Sequence, residues 1–217
     1  MAAVLMTLLL VACTQHGGTR DAAQEPFAPQ APAAERMTSR VPFGWVKIQE
    51  STTANLHLSE YVPADSPVAS DDSLQWQQKI SFEAMSAKGL PDPLEFTNGW
   101  AQEQASLCDE FRDHPVFSGF ENGYPTVVRL LECGRNKRTN RPLVTMIKVV
   151  QGKTTLFTVT RIWRVSAADD DAASEALEGA IDRAEIAAWS NLLSGMIVCR
   201  TGSEEHPCPA EDSAGNL

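Results

Sequence analysis

Five cysteines and four histidines are among the residues of this 217-residue chain with the chemistry to serve as nucleophile, base or metal ligand. Cys13 stands apart near the N-terminus, whereas Cys108, Cys133, Cys199 and Cys208 are spread over the second half. Spacing separates the uses a thiol can have. No Cys-x-x-Cys occurs, which argues against a redox pair. Cys199 with His206-Pro207-Cys208 is the compact grouping of possible metal ligands, but zinc sites ordinarily draw on paired short cysteine spacings and four ligands. No metal and no other cofactor is expected. A nucleophile pair of Cys108 and His114 can be drawn, yet an even set of cysteines in an exported chain oxidises to disulfides. Three pairings are possible. Cys199 and Cys208 can close the turn-rich TGSEEHPC with little long-range organisation, which leaves Cys108 with Cys133 as a staple from helix to sheet. On chain-entropy arithmetic the two bridges contribute roughly 2.5 and 3.5 kcal/mol.

The histidines are His16, His57, His114 and His206. His16 lies in a low-complexity stretch and His206 in the short cysteine loop. His57, between Leu56 and Leu58, falls on the polar face of a strand. His114, in DEFRDHPVF, follows a predicted helix beside Asp113 and Pro115. Asp113, His114 and Glu121 are the one outline of a hydrolase site, because no Gly-x-Ser-x-Gly, phosphate-cradling glycine loop or His-Glu-x-x-His is present. The acids Asp109 and Glu110, and Asp169 to Asp171, read as solvated faces. The segment FSGFENGYPT, residues 117–126, has two readings. Asn122-Gly123 and Tyr124-Pro125 are turn formers, so it can be a structural loop feeding a strand. It can also be a recognition loop, with aromatic contact area from Phe120 and Tyr124 and polar contacts from Glu121 and Asn122. Such a loop binds a partner or a glycan without catalysing anything.

The acidic balance narrows the partners. With 28 acidic against 18 basic residues and a net charge of -10, the chain has no concentrated Lys/Arg cluster for phosphate. Nucleic acid is not expected, and an anionic membrane surface would repel the chain. Attachment to a membrane would need covalent lipid. After Cys13 no apolar stretch approaches the roughly 18 to 20 residues that cross a bilayer.

The opening MAAVLMTLLLVAC has an apolar run of signal-peptide length. Leu10-Val11-Ala12-Cys13 resembles the bacterial lipobox, a resemblance confined to residues 1–13. It implies diacylglycerol on the Cys13 thiol, cleavage just before it and acylation, as by palmitate, of the new amino group. The competing readings are an ordinary secretory signal with an incidental Cys13, or an apolar N-terminal helix. Residues 1–9 carry no Lys or Arg, a departure that places the expected start of translation upstream. Thr14 follows the cysteine where Asp would retain an enterobacterial lipoprotein in the inner membrane, so the resemblance implies outer-membrane delivery. Removing Cys13 from the count leaves four cysteines for two disulfides.

The expected organisation is a signal peptide over 1–12, a lipidated Cys13 with a flexible Ala/Pro-rich tether over 13–40, one α+β domain over 41–208, and a disordered tail over 209–217. Alternation over 74–84 puts Leu74, Trp76, Ile80, Phe82 and Ala84 on one face of a strand. VPFGWVKIQES and TANLHLSEYV read as a first hairpin. TVVRLLEC (126–133), LVTMIKVV (143–150) and TTLFTVTRIWRV (154–165) read as a three-stranded antiparallel meander. Asp92-Pro93-Leu94-Glu95 opens a helix with a capping box, whose apolar stripe is Phe96, Trp100, Leu107 and Phe111. A second helix from Asp182 repeats Ile186, Trp189, Leu193 and Met196, and 167–180 reads as a solvated insertion. The fold class is α+β, with two helices packed on an antiparallel sheet and two disulfides. The QGK hairpin, the TRIWR strand and the terminal WSNLL helix, over residues 41–199, are similar to the PsbP/Mog1-like family of small envelope and photosynthetic proteins. The expected role is that of a non-enzymatic lipoprotein of the bacterial envelope, facing periplasm or exterior, with a binding or accessory part in an envelope assembly. A hydrolase near His114 and a small-ligand carrier are the alternatives.

Overall fold

The computed structural model describes residues 35–38, 40–66, 77–164, 183–200 and 202–208. The signal segment with Cys13, the strand positions Leu74 and Trp76, the 167–180 insertion and the 209–217 tail lie outside them. The described residues form β1 (Glu35–Met37), β2 (Trp45–Thr52), β3 (Leu56–Pro63), β4 (Gln78–Ser86), α1 (Pro93–Ser106), β5 (Cys108–Glu121), β6 (Tyr124–Asn136), β7 (Arg141–Gln151), β8 (Thr155–Arg164), α2 (Arg183–Ser194) and β9 (Val198–Arg200). β2 to β8 make a seven-stranded sheet in the order β2-β3-β4-β8-β7-β6-β5, every neighbour antiparallel. β1 and β9 form a separate antiparallel pair. The α+β class, the meander, both helices and both disulfides are as the sequence predicts.

Each face of the sheet takes one helix, and the strand alternation decides which residues it meets. On one face Ile80, Val128, Val144, Met146, Val159 and Trp163 pack against Trp189 and Leu193 of α2 and against Met196 beyond it. On the other, Ile147, Val149 and Leu156 pack against Phe96 and Trp100 of α1. This explains why β7 and β8 are apolar on both faces. α1 starts where Asp92 accepts hydrogen bonds from the backbone amides of Leu94 (2.8 Å) and Glu95 (3.3 Å), with Pro93 in the first turn.

Three local features differ from the sequence reading. α1 ends at Ser106, and Phe111 belongs to β5 rather than to the helical stripe. The chain turns at Leu107, whose carbonyl accepts from the Lys137 amide (2.8 Å), and pairs with β6 along 14 residues. The meander therefore has a fourth strand. β5 is an outer strand, mostly exposed on both faces, so it lacks the alternation that reveals a half-buried strand. Pro115 and the adjacent register shift are typical of an edge. The Cys108–Cys133 bridge consequently joins neighbouring strands β5 and β6, not helix to sheet. Finally, β1 falls within 13–40 and pairs with residues 198–200, far along the chain.

Candidate functional site

α2 covers one end of its face of the sheet, and the β1/β9 pair covers part of the other. Between β1 and the strands β2 and β3 a groove of about 350 Å3 stays open. Its floor is Phe82 and Ala84 of β4 with Phe157 of β8, and Met37 of β1 forms the wall. Register places His57 opposite Ala84, Ser59 opposite Phe82 and Tyr61 opposite Ile80, so these three side chains share the groove face. Lys47 and Glu50 of β2 and Glu35 and Arg36 of β1 complete the rim. Tyr61 meets Phe82 edge-on, with ring centroids 5.7 Å apart.

The polar groups follow a consistent order. Thr52 Oγ1 lies 2.9 Å from His57 Nδ1, and Ser59 Oγ lies 3.3 Å from His57 Nε2. Glu50 is 3.9 Å from that same Nε2 and 3.1 Å from Lys47 Nζ. The Glu50 hydrogen bond raises the Lys47 pKa, so this ammonium stays charged. A serine relay needs the acid on one imidazole nitrogen and the serine on the other. Here acid and serine share Nε2 while a neutral hydroxyl holds Nδ1. Ser59 is also buried. The arrangement orients hydrogen-bonding groups around an apolar floor, which is the composition of a binding site.

No protein-family model and no curated protein matches the chain. Solved structures do. The chain is similar to the Ran-binding protein Mog1p of Saccharomyces cerevisiae, at 13% identity and a TM-score of 0.45, over 76% of this chain and 93% of that one. It is similar to LpqN of Mycobacterium tuberculosis, described as involved in cell envelope biogenesis, at 14% identity and a TM-score of 0.41, over 78% and 87%. A third is the cyanobacterial PsbP of Synechocystis sp. PCC 6803, at 11% identity and a TM-score of 0.37, over 72% and 96%. Mog1 and PsbP proteins are thus among the neighbours at low identity.

The wall of the groove is anchored beneath by Glu35. Its carboxylate accepts from the amides of Lys153 (2.8 Å) and Thr154 (3.4 Å) and from the Tyr124 hydroxyl (3.2 Å). A side chain at Gly152 would lie 2.5 Å from that carboxylate, so glycine permits the approach. Burial, followed by the Glu35 charge, pushes the Tyr124 hydroxyl up to about 12 from an ordinary value of 10.0. A folded value above the unfolded one means that this stabilisation is complete below pH 10.0 and is lost as pH rises to about 12. Wild type is expected to lose more stability across that window than Tyr124→Phe, as read by urea unfolding at stepped pH. Equal losses would remove Tyr124 as the cause.

FSGFENGYPT forms the tip of the β5/β6 hairpin. Asn122 and Gly123 both have positive φ, 48° and 79°, and Glu121 pairs with Tyr124 across a two-residue turn. Phe120 is 73% exposed, whereas Tyr124 is buried at 3%. Asn122 donates to the Val198 carbonyl (2.9 Å), and its own carbonyl lies 2.8 Å from His206 Nδ1. The His206 ring packs on Tyr124 with centroids 4.3 Å apart and occupies the space that a side chain at Gly123 would need. Glu121 points inward and forms an ion pair with Lys148.

The Asp113, His114 and Glu121 outline is not brought together. Asp113 is paired with Arg129 at 3.1 Å, and His114, pointing to the opposite face of β5, lies 3.5 Å from Glu132. Glu121 is seven residues further along the strand, roughly 24 Å at extended rise. Cys199 and Cys208 are bridged, which takes both sulfurs out of thiolate ligation beside His206. The groove residues other than His57 gave little signal in sequence. Alternation puts His57, Ser59 and Tyr61 on one strand face, but only the placement of β1 turns that face into a groove.

Proposed function

We propose that this chain is a lipid-anchored protein of the bacterial envelope whose folded domain binds a ligand in the groove between β1 and β3, without catalysing a reaction on it. The observation that carries the binding role is the groove itself, an apolar floor ringed by oriented polar groups that lack the order of a relay. The Cys108–Cys133 and Cys199–Cys208 bridges fit an oxidising compartment. Leu10-Val11-Ala12-Cys13 supports lipidation at Cys13, and Thr14 supports delivery to the outer membrane. Residues after Cys13 hold the domain away from the bilayer as a tether. Among the described residues no helix is long and apolar enough to cross a membrane.

Two measurements on the full chain test this reading. Cys13→Ala is expected to move the protein from the membrane to the soluble fraction with its near-ultraviolet circular dichroism unchanged; retention in the membrane overturns the anchor. Ala84→Trp fills the groove floor, and mass spectrometry of solvent extracts is expected to show a small molecule with the wild type that the variant lacks. Identical extracts from both proteins overturn the binding role.

A further inference from the structure

The charges of the groove are unequally satisfied. Glu35 is filled by two backbone amides and a phenol, and Glu50 by Lys47. The Glu83 side chain lies on the opposite face of β4 by strand alternation. Among the described residues, Arg36 is the charged group of the lining with no ion-pair or hydrogen-bond partner. It stands exposed on the lip of the groove, on a protein whose net charge is -10. With Lys47 and Glu50 paired and Glu35 filled, the unpaired Arg36 guanidinium is the charge of this rim left to attract an anion. Below the lip, Met37, Phe82, Ala84 and Phe157 offer apolar and aromatic surface, and His57 and Ser59 offer hydrogen bonds at the far side. A volume of about 350 Å3 is at the small-molecule end of ligand pockets.

We propose that the groove seats a small anionic amphiphile: an alkyl or aromatic body lying on Phe82, Ala84 and Phe157, with its single carboxylate- or sulfonate-type group at Arg36. This rests on the groove being the binding site proposed above. Arg36 suits the role because a planar guanidinium engages such oxyanions through two parallel hydrogen bonds.

Two dyes with nearly the same ring system separate the charge from the apolar body. Anilinonaphthalene sulfonate is anionic, whereas phenylnaphthylamine is neutral, and each brightens in apolar surroundings. The sulfonate is expected to bind the full, folded chain about tenfold more tightly, the yield of one charge-assisted hydrogen-bonded contact. Arg36→Gln should remove about that tenfold preference and leave the neutral dye unaffected, and Arg36→Lys should restore part of it. Ala84→Trp should abolish both signals, with circular dichroism confirming that each variant is folded. Equal affinity for the two dyes, or an Arg36→Gln loss common to both, overturns the anionic ligand class while leaving a groove that Ala84→Trp can block. Dye binding that survives Ala84→Trp, or no binding of either dye, overturns the groove as the site as well.

Discussion

Replacing Lys148 with alanine is expected to lower the unfolding free energy by about 3–5 kcal/mol, the cost of breaking a buried pair from one side. Lys148 is 0% exposed at the centre of the α2 face. Its ammonium pairs with Glu121 and donates to the Leu193 carbonyl at 2.7 Å, in the last turn of α2, where that carbonyl also accepts from the Met196 amide (3.0 Å) and the helix end favours a cation. One side chain on β7 therefore holds the end of α2 and the hairpin tip of β5 and β6. Alanine removes these links, opens a cavity and leaves Glu121, largely buried, without its cation. Lys148→Met with Glu121→Gln keeps the volume and removes both charges, and is expected to restore most of the loss, because burying the pair carried its own desolvation cost. Urea unfolding with an unchanged slope is the measurement, and a Lys148→Ala loss under about 1 kcal/mol would remove the pair as a determinant of stability. The pH dependence has a defined sign. Burial lowers the Lys148 pKa below its ordinary 10.5 despite the Glu121 carboxylate, so the folded chain holds this proton less tightly than the unfolded one. The stability of wild type relative to Lys148→Met should rise as pH increases from the lowered folded value toward 10.5.

Arg161→Ala is expected to cost about 3–4 kcal/mol and to loosen α2 from the sheet. The guanidinium carbon lies 4.7 Å from the Trp163 ring centroid and 5.0 Å from those of Trp45 and Trp189. One of its nitrogens donates to Glu185 (2.6 Å) and to Gln78 (2.8 Å), and Trp163 Nε1 donates to the same Glu185 oxygen (2.7 Å). Three tryptophans from β2, β8 and α2 thus meet around one cation that is neutralised from the first turn of α2. Burial pulls the Arg161 pKa below its ordinary value, while the Glu185 charge opposes that shift and favours the charged form. Alanine strips out the shared contact and leaves Glu185 beside an apolar void. Arg161→Lys keeps the charge but loses the flat surface that stacks on indoles, so it should recover less than half. Tryptophan emission shifted to the red, with a melting temperature lower by roughly 6–16 °C, would report the loosening. An unshifted emission maximum in Arg161→Ala would show that the rings hold together without the cation.

The parts of this fold that can be read from the chain are those whose cause is local. Asp92-Pro93 starts α1 because a cap and a fixed φ act within one turn. The alternation of Ile80, Phe82 and Ala84, and the β-branched runs of β6, β7 and β8, announce strands because each residue's face follows from its neighbours. Four cysteines after Cys13 imply two bridges, and the short loop between Cys199 and Cys208 makes their pairing the easier one to close. What escapes such reading depends on partners distant in sequence. β5 is an edge strand with water on both faces over most of its length, so no periodic pattern marks it. β1 is three residues long and exists because β9, more than 160 positions away, pairs with it. Glu35 reaches across 118 residues to the amide of Lys153, and Lys148 across 45 to the Leu193 carbonyl. Nothing near Lys148 in the chain marks it as buried, since lysine is ordinarily a surface residue and its cost is met only by those distant partners. The groove has the same origin. His57, Ser59 and Tyr61 share a face by alternation alone, but a concave site needs a wall, and tertiary packing supplies that wall by setting β1 against the sheet beside them.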